Sequence, residues 1–235
     1  MDRSAEPVRI AMWSGPRNIS TALMRSWDAR PDTAVIDEPL YAAYLRATGV
    51  DHPGRDEVLA AHESDWRRVI DRLIGPVPDD RPIWYQKHMA HHLLPGIDRD
   101  WLSRLRHALL IREPEAMLIS LAKVLPSPTA ADTGLPQQVE LFRVLHEATG
   151  RTPPVVVARD VLERPAPMLR ALCRALDVPW TDAMLRWPAG PRATDGVWAK
   201  YWYANVEQST GFAPWRPPAG TVPSELDDVL AACRE

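Results

Sequence analysis

Three groups of residues carry side chains whose types and spacing could do chemistry. The first is Ser14-Gly15-Pro16-Arg17-Asn18-Ile19-Ser20-Thr21. Gly15 permits a sharp turn, Arg17 supplies fixed positive charge, and Asn18, Ser20 and Thr21 supply neutral hydrogen-bond donors. Placed at a helix start, such a loop is a cradle for phosphate or sulfate, because free backbone N–H groups and the positive end of the helix dipole add to the side chains. The plainer alternative is an ordinary strand–helix turn with a polar cap. The second group is Arg112-Glu113-Pro114 with Ser120, eight residues after the arginine. An arginine and a serine from adjacent elements make a phosphate clamp of one bidentate charge and one hydroxyl; alternatively, Ser120 is a solvated helix residue. The third is His88, His91 and His92, which would share a face and could ligate a metal if the chain from Met89 onward were helical.

Positioning these groups requires strands that end beside one another. Val8 to Ser14 is an apolar run rich in strand formers, and Ile19, Leu23 and Trp27 then recur at helical spacing. Thr33–Asp37 reads as a second strand ended by Glu38-Pro39, followed by a helix from Leu40 to Ala47, a loop at 52–56 and a helix from Ser64 to Ile74. Pro82 to Met89 reads as a third strand, and a helix around Trp101–Leu105 leads to a fourth, fully buried strand at His107–Arg112. Pro114 suits the first turn of the next helix, Pro126 and Pro128 interrupt, and Pro136 to Ala148 reads as helical. Pro154 to Asp160 reads as the fifth strand, and Pro165 to Leu176 as an amphipathic helix. The segment 187–218 is rich in Pro and Trp, its tryptophans reading as packing residues, and Ser224 is placed to cap a last helix to Cys233. Strands alternating with helices predict an α/β domain with a central parallel sheet of about five strands, helices on both faces, and one domain over residues 1–235.

Composition narrows the partners. The 235 residues carry a net charge of −3, with 46% hydrophobic and 25% charged residues, so any anion site must be local rather than a property of the whole surface. That balance argues against nucleic acid and anionic membrane as partners. Two cysteines, Cys173 and Cys233, support neither a disulfide framework nor a zinc cluster. The first residues, Met-Asp-Arg-Ser-Ala-Glu-Pro, contain no apolar signal core and no run reaches membrane-spanning length, so a cytoplasmic location is expected. The first loop lacks Gly-Lys-Ser/Thr, the triphosphatase signature whose lysine neutralises β- and γ-phosphates, and so suits a different anion.

The first two groups together resemble the P-loop sulfotransferases, which use 3′-phosphoadenosine-5′-phosphosulfate (PAPS) and release the desulfated nucleotide PAP. In that family a Pro-Arg/Lys-Ser-Gly-Thr-Thr loop holds the phosphosulfate, matched here by residues 16–21, and Arg-Asp/Asn-Pro followed by Ser holds the 3′-phosphate, matched by Arg112-Glu113-Pro114 and Ser120. Arg159–Pro165 with Leu176–Trp180, and Lys87-His88-Met89 with Leu93-Leu94-Pro95, are weaker echoes, so the resemblance covers residues 8–180. It implies the P-loop sulfotransferase fold and in-line transfer of a sulfuryl group to a small-molecule acceptor. It also implies that Arg17 neutralises the leaving phosphate, aided by the amides of Ser14 to Ile19 and by Ser20 and Thr21. A base must take the acceptor's proton: His88 is the first choice and Glu38 the second, since some bacterial members use a glutamate there. Glu38 could equally be a first-turn helix acid. Tyr41, Lys87 and His92, with Glu38 and His88, are expected to wall the acceptor site. Three positions depart from the family: Ile19 stands where the loop glycine belongs, Ala158 where a tyrosine belongs, and no Arg-Lys-Gly follows, Lys200 and Gly211 being its nearest substitutes. The rival readings are a P-loop enzyme using another phosphorylated nucleotide or substrate and a non-catalytic nucleotide-binding module. Oligomeric state is not legible.

Overall fold

The computed structural model describes residues 6–125 and 127–234. The leader reading rests on residues 1–5, and the interruption at Pro126 on a single residue; both lie outside the described residues. Five strands, β1 (Val8–Ser14), β2 (Thr33–Asp37), β3 (Ile83–Met89), β4 (Arg106–Ile111) and β5 (Val155–Val157), form one sheet in the order β2-β3-β1-β4-β5. Every pairing is parallel. The connecting helices are α1 (Ser20–Asp28), α2 (Tyr41–Thr48), α3 (Arg55–Ala61), α4 (Trp66–Ile74), α5 (Pro114–Leu121), α6 (Leu135–Thr149), α7 (Ala158–Glu163) and α8 (Pro165–Ala175). Two single-turn helices, α9 (Ala199–Trp202) and α10 (Ala204–Glu207), and a last helix α11 (Asp227–Arg234) follow.

Side chains alternate across each strand, so β1 feeds two different cores. Ile10 and Met12 pack with Leu23 and Trp27 of α1 and Leu169 and Leu172 of α8. Ala11 and Trp13 face the other way, onto Val69 and Leu73 of α4 and Leu141 and Leu145 of α6. This is the α/β sheet covered on both faces that the strand–helix alternation predicts. Because all strands run the same way, Ser14, Glu38, Met89 and Arg112 emerge together at the carboxyl edge, where ligands of such sheets bind.

Four local readings change. The fifth strand stops at Val157, and Ala158 begins α7. Ala158 and Val161 are its buried residues, three apart, and Arg159 pairs with Glu163 at 2.8 Å, both helical spacings. Residues 100–104 form a 3₁₀ turn rather than an α-helix. The loop reading at 52–56 gives way at Arg55, where helix α3 begins, with Val58 its one buried residue and hence no amphipathic stripe to read. Ser224 opens a 3₁₀ turn ahead of α11 and makes no capping bond. Trp187 and Trp198 of the Pro/Trp-rich segment are buried in the packing. Both cysteines are free thiols. Among the described residues no helix is long and apolar enough to cross a membrane.

Candidate active site

The loop after β1 holds two non-glycine residues in the left-handed region, Arg17 at φ 62° and Ile19 at φ 56°. Left-handed residues in a tight turn swing amide N–H groups toward one concave side, the geometry of an anion nest. A β-branched residue there is strained by about 1–2 kcal/mol, which is why a glycine suits the position. Ile19 offsets that strain by packing its side chain against the Ile10–Met12 core. The loop thus keeps the backbone a glycine would take at this position and turns the side chain inward. Gly15 has no such freedom, since a Cβ there would lie 2.2 Å from the Thr133 carbonyl oxygen. The turn at 131–134 thus sits directly on the loop. Asn18 is buried and its Nδ2 donates to the Leu110 carbonyl at 3.2 Å, tying the loop to β4. Ser20, also buried, is the first residue of α1.

Two guanidinium groups meet beside this loop. Arg17 Nε donates to Ser120 Oγ at 3.0 Å, and Arg112 Nη1 donates to the Arg17 carbonyl at 2.7 Å. Arg17 is thus bonded to Ser120 through its side chain and to Arg112 through its carbonyl. Both arginines are half-buried and burial lowers the pKa of each, yet a guanidinium stays charged. Among the described residues neither forms an ion pair with a carboxylate. Two adjacent, partly desolvated cations with no carboxylate in ion-pair contact, Glu113 acting on Arg112 only from beyond that distance, are unfavourable by themselves and favour an anion.

Two strands away, at the end of β2, lies a second charged cluster of opposite design. Lys87 is 1% exposed and its ammonium reaches Asp37 Oδ1 at 2.9 Å, Glu38 Oε1 at 2.6 Å and Tyr203 Oη at 2.7 Å. Burial alone would depress the lysine, but Asp37, Glu38 and Tyr203 together hold its pKa well above the usual value. Burial raises the Glu38 carboxyl, with Lys87 opposing. Glu38 is itself left-handed, at φ 38°, and its side chain is 13% exposed.

His88 lies elsewhere. As the neighbour of Lys87 on β3 it points to the opposite sheet face, where its ring stacks on Trp13 at 4.3 Å. Gln86 Nε2 donates to the Leu73 carbonyl, which leaves Gln86 Oε1 to accept from His88 Nε2 at 3.2 Å. The remaining lone pair, on Nδ1, is buried without a partner, and burial holds the imidazole at about 3. The structure therefore does not bring His88 to the Lys87 cluster. His91 and His92 lie on a 3₁₀ turn after the strand, so the shared helical face required for a metal triad with His88 does not form. His92 instead stacks face to face on Tyr41 at 4.8 Å, and the Tyr41 hydroxyl hydrogen-bonds His52 Nδ1 at 3.0 Å. Among the described residues no group of three His, Cys, Asp or Glu is arranged to hold a metal ion.

The sequence profile of the sulfotransferase domain matches residues 8–234, past the 8–180 spanned by the motifs. The chain belongs to the sulfotransferase domain family. Two Arabidopsis thaliana proteins, branched-chain-amino-acid aminotransferase-like proteins 1 and 2, are 42% identical over 228 residues and 39% over 225. The matches cover 96% and 95% of this chain and 40% of each relative, so the chain spans two fifths of their length. The sulfotransferase domain of the Synechococcus PCC 7002 olefin synthase superposes with a TM-score of 0.55 at 15% identity, covering 98% of this chain and 96% of that one. The likeness is one of fold.

Within this sulfotransferase domain, sequence reasoning did not find Asp37 or Tyr203. Asp37 carried a signal: it precedes Glu38 and lies opposite Lys87 in the parallel register, on the same sheet face. Tyr203 carried none, in a segment without periodicity. Lys200, considered as a substitute for a missing basic motif, instead pairs with Glu57 at 2.6 Å on the surface.

Proposed function

We propose that this sulfotransferase domain transfers a sulfuryl group from PAPS to a hydroxyl or amine of a small-molecule acceptor. The observation that carries the reading is the pair of half-buried, carboxylate-free guanidiniums, Arg17 and Arg112, beside a left-handed loop at a helix N-terminus. When bound, PAPS supplies the activated sulfuryl group and a nucleotide leaving group. The donor set fits it: loop amides, Arg17, Ser20 and Thr21 for the phosphosulfate, Arg112 and Ser120 for a second phosphate. Arg17 neutralises charge that develops on the leaving side, and its bond to Ser120 pre-orients the guanidinium. Glu38 takes the acceptor's proton, because it joins a carboxyl of raised pKa to partial exposure. Lys87, sealed beneath it, holds the carboxylate rather than touching the acceptor. Tyr41 and His92, stacked on each other and buried, back the acceptor side behind Glu38.

Calorimetry with PAP is the direct test, followed by transfer of labelled sulfate from PAPS to a panel of acceptors. PAP binding that is lost in Arg112→Ala, and turnover that falls about 100-fold or more in Arg17→Ala, are the expected results. A folded protein that binds no PAP would end this reading. Glu38→Gln with full activity and an inactive His88→Gln would return the base to His88.

A further inference from the structure

We infer that Tyr203 is a positioning residue for Glu38, its hydroxyl dictating how Lys87 divides its hydrogen bonds between Glu38 and Asp37. The inference rests on Glu38 being the base.

Donor and acceptor capacities fix the arrangement. An ammonium has three N–H donors, and those of Lys87 are taken once each by Asp37, Glu38 and Tyr203. A phenol has one proton. Tyr203 Oη accepts from Lys87 Nζ and from Trp198 Nε1 at 3.2 Å, so its own proton goes to Asp37 Oδ2, at 2.7 Å. The Gly196 N–H reaches the same Asp37 oxygen at 3.4 Å. One buried cation thus faces two carboxylates and cannot serve both fully. The hydrogen bond from Tyr203 steadies Asp37 by other means and leaves more of the ammonium to Glu38. Tyr203 and Trp198 are buried, so no water substitutes for either donor. The remaining titratable groups are Tyr85 on β3, which feels Lys87 and Asp37, His92, which feels Lys87, Tyr41 from α2, near Glu38 but bonded to His52, and His62 after α3, which faces Asp37. None of them hydrogen-bonds either carboxylate. Asp37, a like charge beside Glu38, raises the proton affinity of Glu38, and Lys87 opposes it.

The test is the titration of Glu38 followed by carbon NMR of ¹³C-carboxyl-labelled protein, with Glu38→Gln assigning the signal. Tyr203→Phe moves the midpoint up by about one pH unit, and Asp37→Asn moves it down. Trp198→Phe, which weakens Tyr203 as a donor without removing it, gives a smaller upward shift and serves if Tyr203→Phe is unstable. The acid limb of kcat/KM follows the same directions while PAP affinity stays constant. Midpoints that do not move, or that move the same way in Tyr203→Phe and Asp37→Asn, overturn the inference. Opposite shifts in a protein that transfers no sulfate would uphold the hydrogen-bond arrangement and remove Glu38 from the role of base.

Discussion

The carboxyl edge of the sheet carries two charged poles built on opposite plans. Beside β1 and β4, Arg17 and Arg112 sit half-buried with no carboxylate, held by a serine hydroxyl and a backbone carbonyl. Beside β2 and β3, Lys87 is fully buried and meets three oxygen acceptors, two of them carboxylates. Neighbouring strands lie about 4.8 Å apart, so the poles are separated by only two or three strand spacings. The difference is one of purpose. A cation left without a partner attracts an anion from outside, whereas a cation surrounded by acceptors fixes the groups around it and has no capacity left for a ligand.

Experiments can break this contrast at several depths. The largest effect concerns histidines that belong to neither pole. Burial holds His88 at about 3 and His91 and His107 at about 4, against an ordinary value near 6.5. The unfolded chain binds protons at these sites first as pH falls, so stability is full above about pH 6.5 and is lost progressively toward pH 4, by a few kcal/mol per buried ring. Urea titrations from pH 7.5 to 4.5 check this, and a flat profile would place the rings in contact with water. Next comes Lys87→Met, which leaves Asp37 and Glu38 buried without a counter-charge and should cost about 3–5 kcal/mol of stability. A variant as stable as the parent would mean that the lysine pole is not a closed ion cluster.

At the arginine pole the signs differ. Arg112→Ala removes an unpaired cation, so folding stability should change by less than about 1 kcal/mol while PAP affinity falls about 10- to 100-fold. Equal losses in both measurements would make Arg112 structural. The smallest effect is at Ile19. Removing the side chain to alanine keeps the left-handed strain, whereas glycine relieves it, so Ile19→Gly should be more stable than Ile19→Ala by about 1 kcal/mol. Denaturant midpoints of the two variants decide it, and the reverse order would show that the loop does not hold φ positive at that residue.

The sequence made the sheet legible because buried parallel strands carry apolar runs: Ile10–Trp13 in β1, Ala34–Ile36 in β2, Ile83–Tyr85 in β3 and Ala108–Ile111 in β4. It also showed the loop, Arg112 and Ser120, since their chemistry depends on local spacing within a strand–turn–helix unit. β5 was read too long because Val155-Val156-Val157 runs into Ala158 without a glycine or proline to mark the change. The surroundings of His88 were not legible, because they turn on which sheet face the residue takes, and a one-residue shift in strand phase reverses that. Tyr203 was out of reach for a different reason: its partners Lys87 and Asp37 stand 116 and 166 residues earlier in the chain.

That separation has a consequence for how the protein is made. During synthesis, β1 to β4 with α1 can form and dock well before residue 203 leaves the ribosome. Until then Lys87 and Asp37 lack the phenol between them, and Arg25 of α1 lacks its own partner Asp195, 170 residues later, at 2.6 Å. The direct partners of Arg17 and Arg112, by contrast, lie no later in the chain than Ser120. The nascent chain can therefore form the Arg17–Ser120 and Arg112–Arg17 bonds before the Lys87 cluster is complete, and long-range closure of this kind is the slow part of folding.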